Sequence, residues 1–252
     1  MAGNSVGGFI SVAVAATRPQ LVQGIILLNS TPFWGFVPDP IRSPRLHSLM
    51  PWTGVLPVPP FFDWLSRIYF NAFRSRGNIR NLLGFVYSRP RDTLDDELVE
   101  CIRSPTDHPL AQHAFASILL SPAFPLNFDQ LTQAIDCPVA LIYGRDDPWI
   151  VPLWGHRLKR RIPEASYFQV TPSGHCPHHE TPEAVNKVII EWTKSALEGT
   201  PPFNSDIVAD AKQKAFVVKG KWIPEATVTI EDSRPRTFVE YLDDLFFLLS
   251  GR

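Results

Sequence analysis

The sequence predicts an α/β fold in which short apolar strands alternate with helices. Three apolar runs, at 24–29, 138–143 and 166–170, are too short to be helices, and the last two are each followed by a turn and a helical pattern. The first run is apolar on both faces, which is typical of a strand inside a parallel sheet. We therefore expect a parallel sheet with helices packed on its faces.

The first predicted helix, residues 6–18, follows a serine that lies between two glycines. Ser5 stands two residues after Gly3 and two before Gly7, a spacing typical of the strand-to-helix turn called a nucleophile elbow. We expect crowding in this turn to leave no room for a Cβ atom at Gly3 or Gly7. Gly8 should let the helix run close to its neighbouring strand.

Candidate partners for the serine follow the second and third strands. Strand 138–143 is followed by Asp146 and Asp147, and strand 166–170 is followed by a loop that contains His175. Serine, then aspartate, then histidine, with the last two each just past a strand, is the chain order of α/β hydrolases. We predict Asp147 as the acid and keep Asp146 as the alternative.

These residue types suit acyl transfer for separate reasons. A serine hydroxyl is a poor nucleophile at neutral pH, so an imidazole must take its proton, and His175 is the predicted base for Ser5. A carboxylate, here Asp147, orients that imidazole and stabilises the imidazolium. The developing oxyanion needs N–H donors, and the amide of Val6, directly after the nucleophile, is predicted to be one of them.

The second oxyanion donor has no candidate in the sequence. In the hydrolase plan it comes from a loop that follows an earlier strand, but only four residues precede Ser5. We therefore expect no strand before the turn and one bare flank for strand 24–29. The fold class predicted is an incomplete α/β-hydrolase fold that starts at the elbow, as the C-terminal part of a longer enzyme.

A proline-rich and aromatic segment interrupts the core after strand 24–29. Eight prolines lie between Pro32 and Pro60, and twelve aromatic residues lie between Phe33 and Tyr87. The prolines predict an extended excursion that leaves the core. Helical patterns then complete a predicted lid, at 61–75, 79–88, 94–103 and 108–120.

The aromatic residues of the lid have two readings. A lid must bury apolar side chains against something, and some of these residues can also wall a cavity for a large apolar acyl or alkyl group. Each buried methylene of such a group would contribute about 0.8 kcal/mol. The residues predicted to bind substrate are Phe33, Trp34, Phe36 and Trp149.

The predicted domain organisation has three parts. Residues 1–31 and 131–198 form the partial hydrolase core, 32–130 the helical lid and 199–252 a C-terminal extension. Within the extension we predict a hairpin and an amphipathic helix, docked on the chain's own domain; the hairpin strands are at 215–223 and 226–231 and the helix at 237–249.

The amino-acid composition of the chain limits the kinds of partner that we expect. The chain has 252 residues, of which 44% are hydrophobic and 19% charged, with a formal net charge of −1. This balance gives no reason to expect nucleic acid as a partner. No apolar run approaches the roughly 20 residues of a membrane helix. The three cysteines are odd in number and widely spaced, which argues against a disulfide framework.

A metal site is not expected. His175, Cys176, His178 and His179 lie close together in the sequence, but no distant Cys or His pair with ligand spacing accompanies them. Cys176 lacks an elbow, which makes it a poor alternative nucleophile. We therefore predict no metal and no cofactor.

Four segments resemble the pheophytinases and related chlorophyll dephytylases of plants and algae. They are TPFWGFVPDPIRSPRL from Thr31 to Leu46, GNSVGG, YGRDDPW and PSGHCPHHETPE. The resemblance covers about residues 3–197, and the tryptophan- and proline-bearing lid segment is its most specific part. We expect the chain to lack the N-terminal half of that family, and we find no resemblance to it in residues 198–252.

The resemblance implies a function. It implies hydrolysis of the phytyl ester of pheophytin or chlorophyll in the chloroplast, with Ser5 as nucleophile, His175 as base and Asp147 as acid. The expected partner is a lipophilic small-molecule ester. For the helix at 237–249, a peripheral contact with a partner or a thylakoid surface is the alternative to docking on the chain's own domain. Two alternatives stay open: a non-catalytic fragment that acts as an interaction module, and another lipase- or thioesterase-type hydrolase of this fold.

Overall fold

The computed structural model describes residues 1–30, 60–89, 94–120, 128–199, 208–210 and 213–231, together with residues 238, 241 and 242. These residues belong to two compact units. The core unit consists of the described residues within Met1–Pro32, Val86–Thr93 and Asp129–Asp243. The helical unit consists of those within Phe33–Phe85 and Leu94–Phe128. The predicted proline-rich excursion and most of the predicted helix at 237–249 lie outside the described residues.

One sheet forms the centre of the core unit. Its described strands are β1 Ala2–Asn4, β2 Ile25–Leu28, β3 Val139–Gly144, β4 Ser166–Thr171, β5 Val208–Asp210, β6 Gln213–Lys219 and β7 Glu225–Glu231. Among the described residues the strand order is β1-β2-β3-β4-β7-β6-β5. The first four strands are parallel, and β7, β6 and β5 follow with each strand antiparallel to the one before it.

Helices alternate with the parallel strands, as the sequence predicts. The described helices are α1 Val6–Thr17, α2 Pro60–Phe73, α3 Arg76–Val86, α4 Asp96–Arg103, α5 Ala111–Leu120, α6 Phe128–Gln133, α7 Pro152–Arg161, α8 Pro177–Glu180 and α9 Pro182–Glu198. The predicted strands at 24–29, 138–143 and 166–170 are confirmed as β2, β3 and β4. No helix in the described part of the chain has both the length and the apolar character needed to cross a bilayer.

The expectation of a bare flank beside β2 was wrong. Ala2–Asn4 form the short strand β1, which pairs in parallel with β2. Three residues suffice because neighbouring main-chain groups extend the pairing: the amide of Ile26 donates to Met1 O at 2.9 Å, and the amide of Ser5 donates to Leu28 O at 3.0 Å. The serine turn therefore begins on a strand of the sheet.

The register of the parallel strands brings their carboxyl ends to one edge of the sheet. Asn4 lies opposite Leu28, Leu28 opposite Ile142, and Gly144 opposite Val170. The turns that follow these strands must therefore meet at the same edge, which is where open α/β sheets place their ligand sites.

Helix α9 covers one face of the sheet and packs against it in an apolar cluster. Its buried residues, among them Val185, Val188 and Trp192, pack with strand residues that include Phe168, Ile142 and Val228. Trp192 also donates from Nε1 to Ser166 Oγ at 3.2 Å. Strand β3 is buried along its whole length, as expected for a strand with layers on both faces.

The predicted C-terminal hairpin is confirmed and continues the core sheet, although its first strand ends at Lys219 and not at residue 223. Strands β6 and β7 pair antiparallel, and β7 pairs antiparallel with β4, so that Val170 lies opposite Val228. The hairpin contributes Phe216 to the cluster beneath α9. The turn between the two strands is held to the same helix, because the Lys221 amide donates to Glu183 Oε1 at 2.9 Å. The hairpin thus covers the edge of β4 that would otherwise be open.

The helical unit has its own aromatic contacts. Helices α2 and α5 meet through Phe115, whose ring lies 5.4 Å from Phe70 and 5.7 Å from Phe73 between centroids. The opposite stripe of α2 is exposed, with Phe61 66% and Trp64 60% accessible. Only part of the aromatic content of the predicted lid is therefore buried in the described residues.

We expect the hairpin to contribute to the stability of the core. Phe216→Ala should lower the free energy of unfolding by about 3–5 kcal/mol, because it removes a buried ring from the cluster beneath α9. Val217 is the matched control, since it is adjacent on β6 but 59% exposed, and Val217→Ala should stay within about 0.5 kcal/mol of the wild type. Urea unfolding measures both values, and equal losses would contradict the assignment.

Candidate active site

Ser5 lies between β1 and α1 in a strained backbone conformation. Its φ is 53° and its ψ is −118°, values that a residue with a side chain rarely adopts. A Cβ atom on Gly3 would lie 2.1 Å from Gly7 O, and one on Gly8 would lie 2.2 Å from Ser30 Oγ. The turn therefore needs glycine at both positions, as expected, and it matches the elbow pattern.

The expectation for Gly7 was wrong. A Cβ atom built on Gly7 meets nothing within 4 Å. A Cβ atom on Gly3 would collide with the carbonyl of Gly7. The close contact therefore restricts the residue at position 3 and leaves position 7 unrestricted.

Val6 is the first residue of α1. The amide N–H groups of the first turn of a helix have no acceptor within the helix.

Asp147 and His175 are brought together after β3 and β4. His175 Nδ1 and Asp147 Oδ2 are 2.7 Å apart, and both side chains are buried, with 7% of His175 and 2% of Asp147 exposed. Asp146, the alternative acid, instead accepts the amide of Ser173 at 3.2 Å and is exposed. The geometry therefore favours Asp147 as the partner of the imidazole.

Asp147 is held by four hydrogen bonds. Oδ1 accepts the amides of Trp149 at 2.8 Å and Ile150 at 3.0 Å, and Oδ2 accepts Asn29 Nδ2 at 2.7 Å in addition to His175. Burial raises the pKa of this carboxyl, but the hydrogen bond and charge of His175 and the two amides outweigh burial, so the pKa is lowered below its usual value. The ionised form is therefore the stable one at neutral pH.

The serine turn contacts the histidine loop directly. The side chain of Asn4, the residue before Ser5, donates from Nδ2 to His175 O at 2.9 Å and to Leu28 O at 3.1 Å. The residue that carries the hydroxyl and the residue that carries the imidazole are thus joined through one bridging amide. This contact places Ser5, Asp147 and His175 at the same edge of the sheet.

The histidine loop is also held by residues 86–88, at the end of α3. The amide of His175 donates to Val86 O at 2.9 Å. Glu180, which is 0% exposed, accepts the amide and hydroxyl of Ser88, each at 2.7 Å, and the amide of Gly174 at 2.8 Å. Burial raises the pKa of the Glu180 carboxyl more than these donors lower it. Neither Glu180 nor Ser88 was singled out from the sequence as a site residue.

Cys176 is next to the imidazole but is not an activated nucleophile. Burial raises the pKa of its thiol to about 12, assisted by the charges of Glu180 and Asp147 and opposed by a hydrogen bond with Tyr87. The thiol therefore stays protonated near neutral pH, and the thiolate is the reactive form.

The residues predicted to bind substrate are described only in part. Trp149 is 47% exposed, and its ring meets that of His175 edge-on at 5.6 Å between centroids. It therefore presents an apolar surface next to the imidazole. Phe33, Trp34 and Phe36 lie outside the described residues.

The chain belongs to the α/β hydrolase family, whose model matches residues 1–188. The predicted α/β-hydrolase fold is thereby confirmed. Among individual proteins, the chain is 41% identical over 202 residues to the chloroplastic pheophytinase of Arabidopsis thaliana, a match that covers 79% of this chain and 42% of that protein. The predicted resemblance to the pheophytinases is confirmed by this match.

More distant hydrolases share the fold. The uncharacterized hydrolase YugF of Bacillus subtilis is 25% identical over 197 residues, which cover 77% of this chain and 64% of YugF. The crystal structure of the enol-lactonase from Burkholderia xenovorans LB400 superposes with a TM-score of 0.54 at 18% identity, covering 77% of this chain and 64% of the lactonase. The chain spans 42% of the length of the plant relative and 64% of the bacterial one.

The two buried carboxyl groups should give stability opposite pH dependences. The pKa of Asp147 is lowered in the folded chain, so its contribution is present above the usual carboxyl pKa and is lost as the pH falls through the lowered value. The pKa of Glu180 is raised, so its ionisation costs stability, and the loss develops as the pH rises from the usual value through the raised one.

Urea unfolding between about pH 3 and pH 8 tests this expectation. Asp147→Asn should flatten the decline in unfolding free energy on the acid side, and Glu180→Gln should flatten the decline toward neutral pH. Each variant serves as the control for the other, since the affected limbs differ. Wild-type pH dependence in both variants would contradict the assigned directions.

Proposed function

We propose that this chain is a serine hydrolase that cleaves a carboxylic ester. The observation that carries the proposal is the 2.7 Å contact between Asp147 and His175, at the sheet edge where Ser5 lies in a strained turn with φ 53°. A buried aspartate that orients an imidazole, with a serine in a strained strand-to-helix turn at the same sheet edge, is the arrangement used for nucleophilic acyl transfer.

The proposed reaction has two stages. Ser5 Oγ forms a bond to the ester carbonyl carbon while His175 takes its proton. The bond between that carbon and the alkoxy oxygen then breaks, and the alcohol leaves with the proton from His175. In the second stage water, deprotonated by His175, attacks the acyl carbon, the bond to Ser5 Oγ breaks, and His175 returns the proton to Ser5 as the acid is released. Asp147 stabilises the imidazolium in each stage. The amide of Val6 donates to the oxyanion that forms on the carbonyl oxygen.

The proposed substrate is a bulky lipophilic ester, the phytyl ester of pheophytin or chlorophyll. The similarity to pheophytinase over 79% of this chain supports this choice, as does the half-exposed ring of Trp149 beside His175. We propose Phe33, Trp34 and Phe36 as further substrate-binding residues. By the same similarity, the proposed location is the chloroplast.

The serine is tested by substitution. Ser5→Ala should lower ester turnover by about four to six orders of magnitude, the scale seen when a triad serine is lost. Release of pheophorbide and phytol from pheophytin, followed by chromatography, measures the rate. Cys176→Ser is the control, because the Cys176 thiol is protonated and its loss should leave most of the activity. Undiminished cleavage by Ser5→Ala would refute the proposal.

A non-catalytic interaction module is the second candidate. It is favoured by one observation, that β1 is an outermost strand of the described sheet, because an edge strand can pair with a strand of a partner. Assay of the 252-residue chain itself separates the two candidates. If the chain cleaves pheophytin or a short acyl ester, and Ser5→Ala abolishes that activity, the non-catalytic module is excluded. Cleavage of short acyl esters without cleavage of pheophytin would instead favour another esterase of the same fold.

A peripheral contact with a lipid surface would suit a lipophilic substrate. Phe61, Trp64 and Ile68 lie on one stripe of α2 and are 66%, 60% and 52% exposed. Exposed aromatic side chains on one face of a helix are suited to the interface of a bilayer. We therefore propose this stripe as a membrane-contacting surface of the helical unit.

Vesicle binding tests the stripe. The double variant Phe61→Ser with Trp64→Ser should weaken partitioning onto neutral galactolipid vesicles by about tenfold or more, because two large apolar side chains no longer enter the interface. Leu197→Ser is the matched control, since Leu197 is 74% exposed but lies on α9 of the core unit. Co-sedimentation measures the partition coefficient, and equal binding by all three proteins would contradict the proposed surface.

A further inference from the structure

Asn29 lies at the carboxyl end of β2 and is fully buried, with 0% of its surface exposed. Its backbone φ is 40°, in the left-handed region that asparagine tolerates better than most residues. The amide of Asn29 donates to Ile142 O at 3.0 Å, which continues the pairing of β2 with β3. The backbone therefore holds this side chain at the sheet edge where Asp147 and His175 meet.

The orientation of the Asn29 amide group is determined by a backbone donor. The N–H of Gly144 donates to Asn29 Oδ1 at 2.9 Å. Only the oxygen of a carboxamide can accept this bond, so the nitrogen must be the atom that faces Asp147. Asn29 Nδ2 then donates to Asp147 Oδ2 at 2.7 Å. The side-chain amide of Asn29 is therefore oriented to donate a hydrogen bond to Asp147.

The Asp147 oxygen that accepts the hydrogen bond from Asn29 is also the one that contacts the imidazole of His175. Asp147 Oδ2 accepts from Asn29 and lies 2.7 Å from His175 Nδ1, while Oδ1 accepts two amides of its own turn. Without Asn29, only the imidazole would hold Oδ2, and the carboxylate could rotate away from it. A carboxylate that has rotated away from His175 no longer holds the imidazole in the tautomer that can accept a proton from serine.

We propose that Asn29 is a positioning residue that aims the Asp147 carboxylate at His175. The role rests on the proposed serine-hydrolase function, since it acts through Asp147 and the imidazole without touching the substrate. It goes beyond that function because it assigns part of the activation of Ser5 to a residue at the end of a different strand.

Two substitutions separate the donor from the rest of the side chain. Asn29→Gly suits the positive φ and removes the whole amide group. Asn29→Asp is nearly isosteric and keeps an acceptor for Gly144, but it replaces the donor with a second carboxylate beside Asp147. Ser166→Ala is the matched control, because it removes a side-chain hydrogen bond with Trp192 at the opposite end of β4 from the histidine loop.

The first measurement is the rate at which a fluorophosphonate probe labels Ser5 in the 252-residue chain. The rate is divided by the fraction of folded protein, which circular dichroism measures. Asn29→Gly should lower the labelling rate constant by about 10- to 100-fold, the range expected when a hydrogen bond to a charged group is lost. Asn29→Asp should move the acid limb of the pH–rate profile to higher pH, because a second carboxylate favours the imidazolium. Ser166→Ala should label like the wild type.

The second measurement does not depend on catalysis. The Nδ1 proton of His175, shared with Asp147, should give a low-field proton NMR resonance that Asn29→Gly weakens or shifts and Ser166→Ala leaves in place. If the wild type is not labelled at Ser5, the proposed function fails, and this resonance decides the role of Asn29 separately. Asn29→Asp remains the test if Asn29→Gly does not fold. Labelling rates, pH profile and resonance that all match the wild type would overturn the proposal.

Discussion

The buried Asp147 carboxylate is the constraint on which the site depends. Burying an ionised carboxylate costs free energy unless its oxygens accept hydrogen bonds. Here the donors come from the acid turn, from Asn29 at the end of β2 and from His175 at the end of β4. They meet because parallel register aligns the carboxyl ends of the strands. The geometry of the candidate site is therefore a consequence of strand pairing.

The imidazole is held by a second set of contacts that uses the backbone. The carbonyl of His175 accepts Asn4, and its amide donates to Val86. Glu180 holds Gly174, the residue before it. These partners come from three separate parts of the chain, so the histidine loop is located independently of its own side chain. That leaves the imidazole free to exchange a proton without releasing the loop.

Much of this arrangement could be predicted from local patterns. Strands β2, β3 and β4 follow from short apolar runs, and Ser5, Asp147 and His175 follow from the turns beside them. Strand β1 was missed because three residues are too few to show a pattern. The expectation for Gly7 failed because the free space around a residue depends on neighbours that no local pattern identifies.

The network around the site was beyond sequence reasoning for a different reason. Asn29 and Asp147 are 118 residues apart, and Glu180 and Ser88 are 92 apart. Asparagine, glutamate and serine occur throughout the chain, so nothing in the residue type marks Asn29, Glu180 or Ser88 as part of the network. The antiparallel hairpin shows the same limit: its strands could be predicted, but not that β7 would pair with β4.

The sequence by itself determined strands β2, β3 and β4 and the hairpin, the sharp turn at Ser5 and the chemistry that an ordered serine, aspartate and histidine can perform. These features depend on periodicity and on turn residues within a few positions of one another. Only the tertiary structure decided which strands pair, which oxygen of Asp147 faces the imidazole and which side chains hold it there. Those choices depend on contacts between residues far apart in the chain, where packing and hydrogen-bond geometry select one partner among many of the same type.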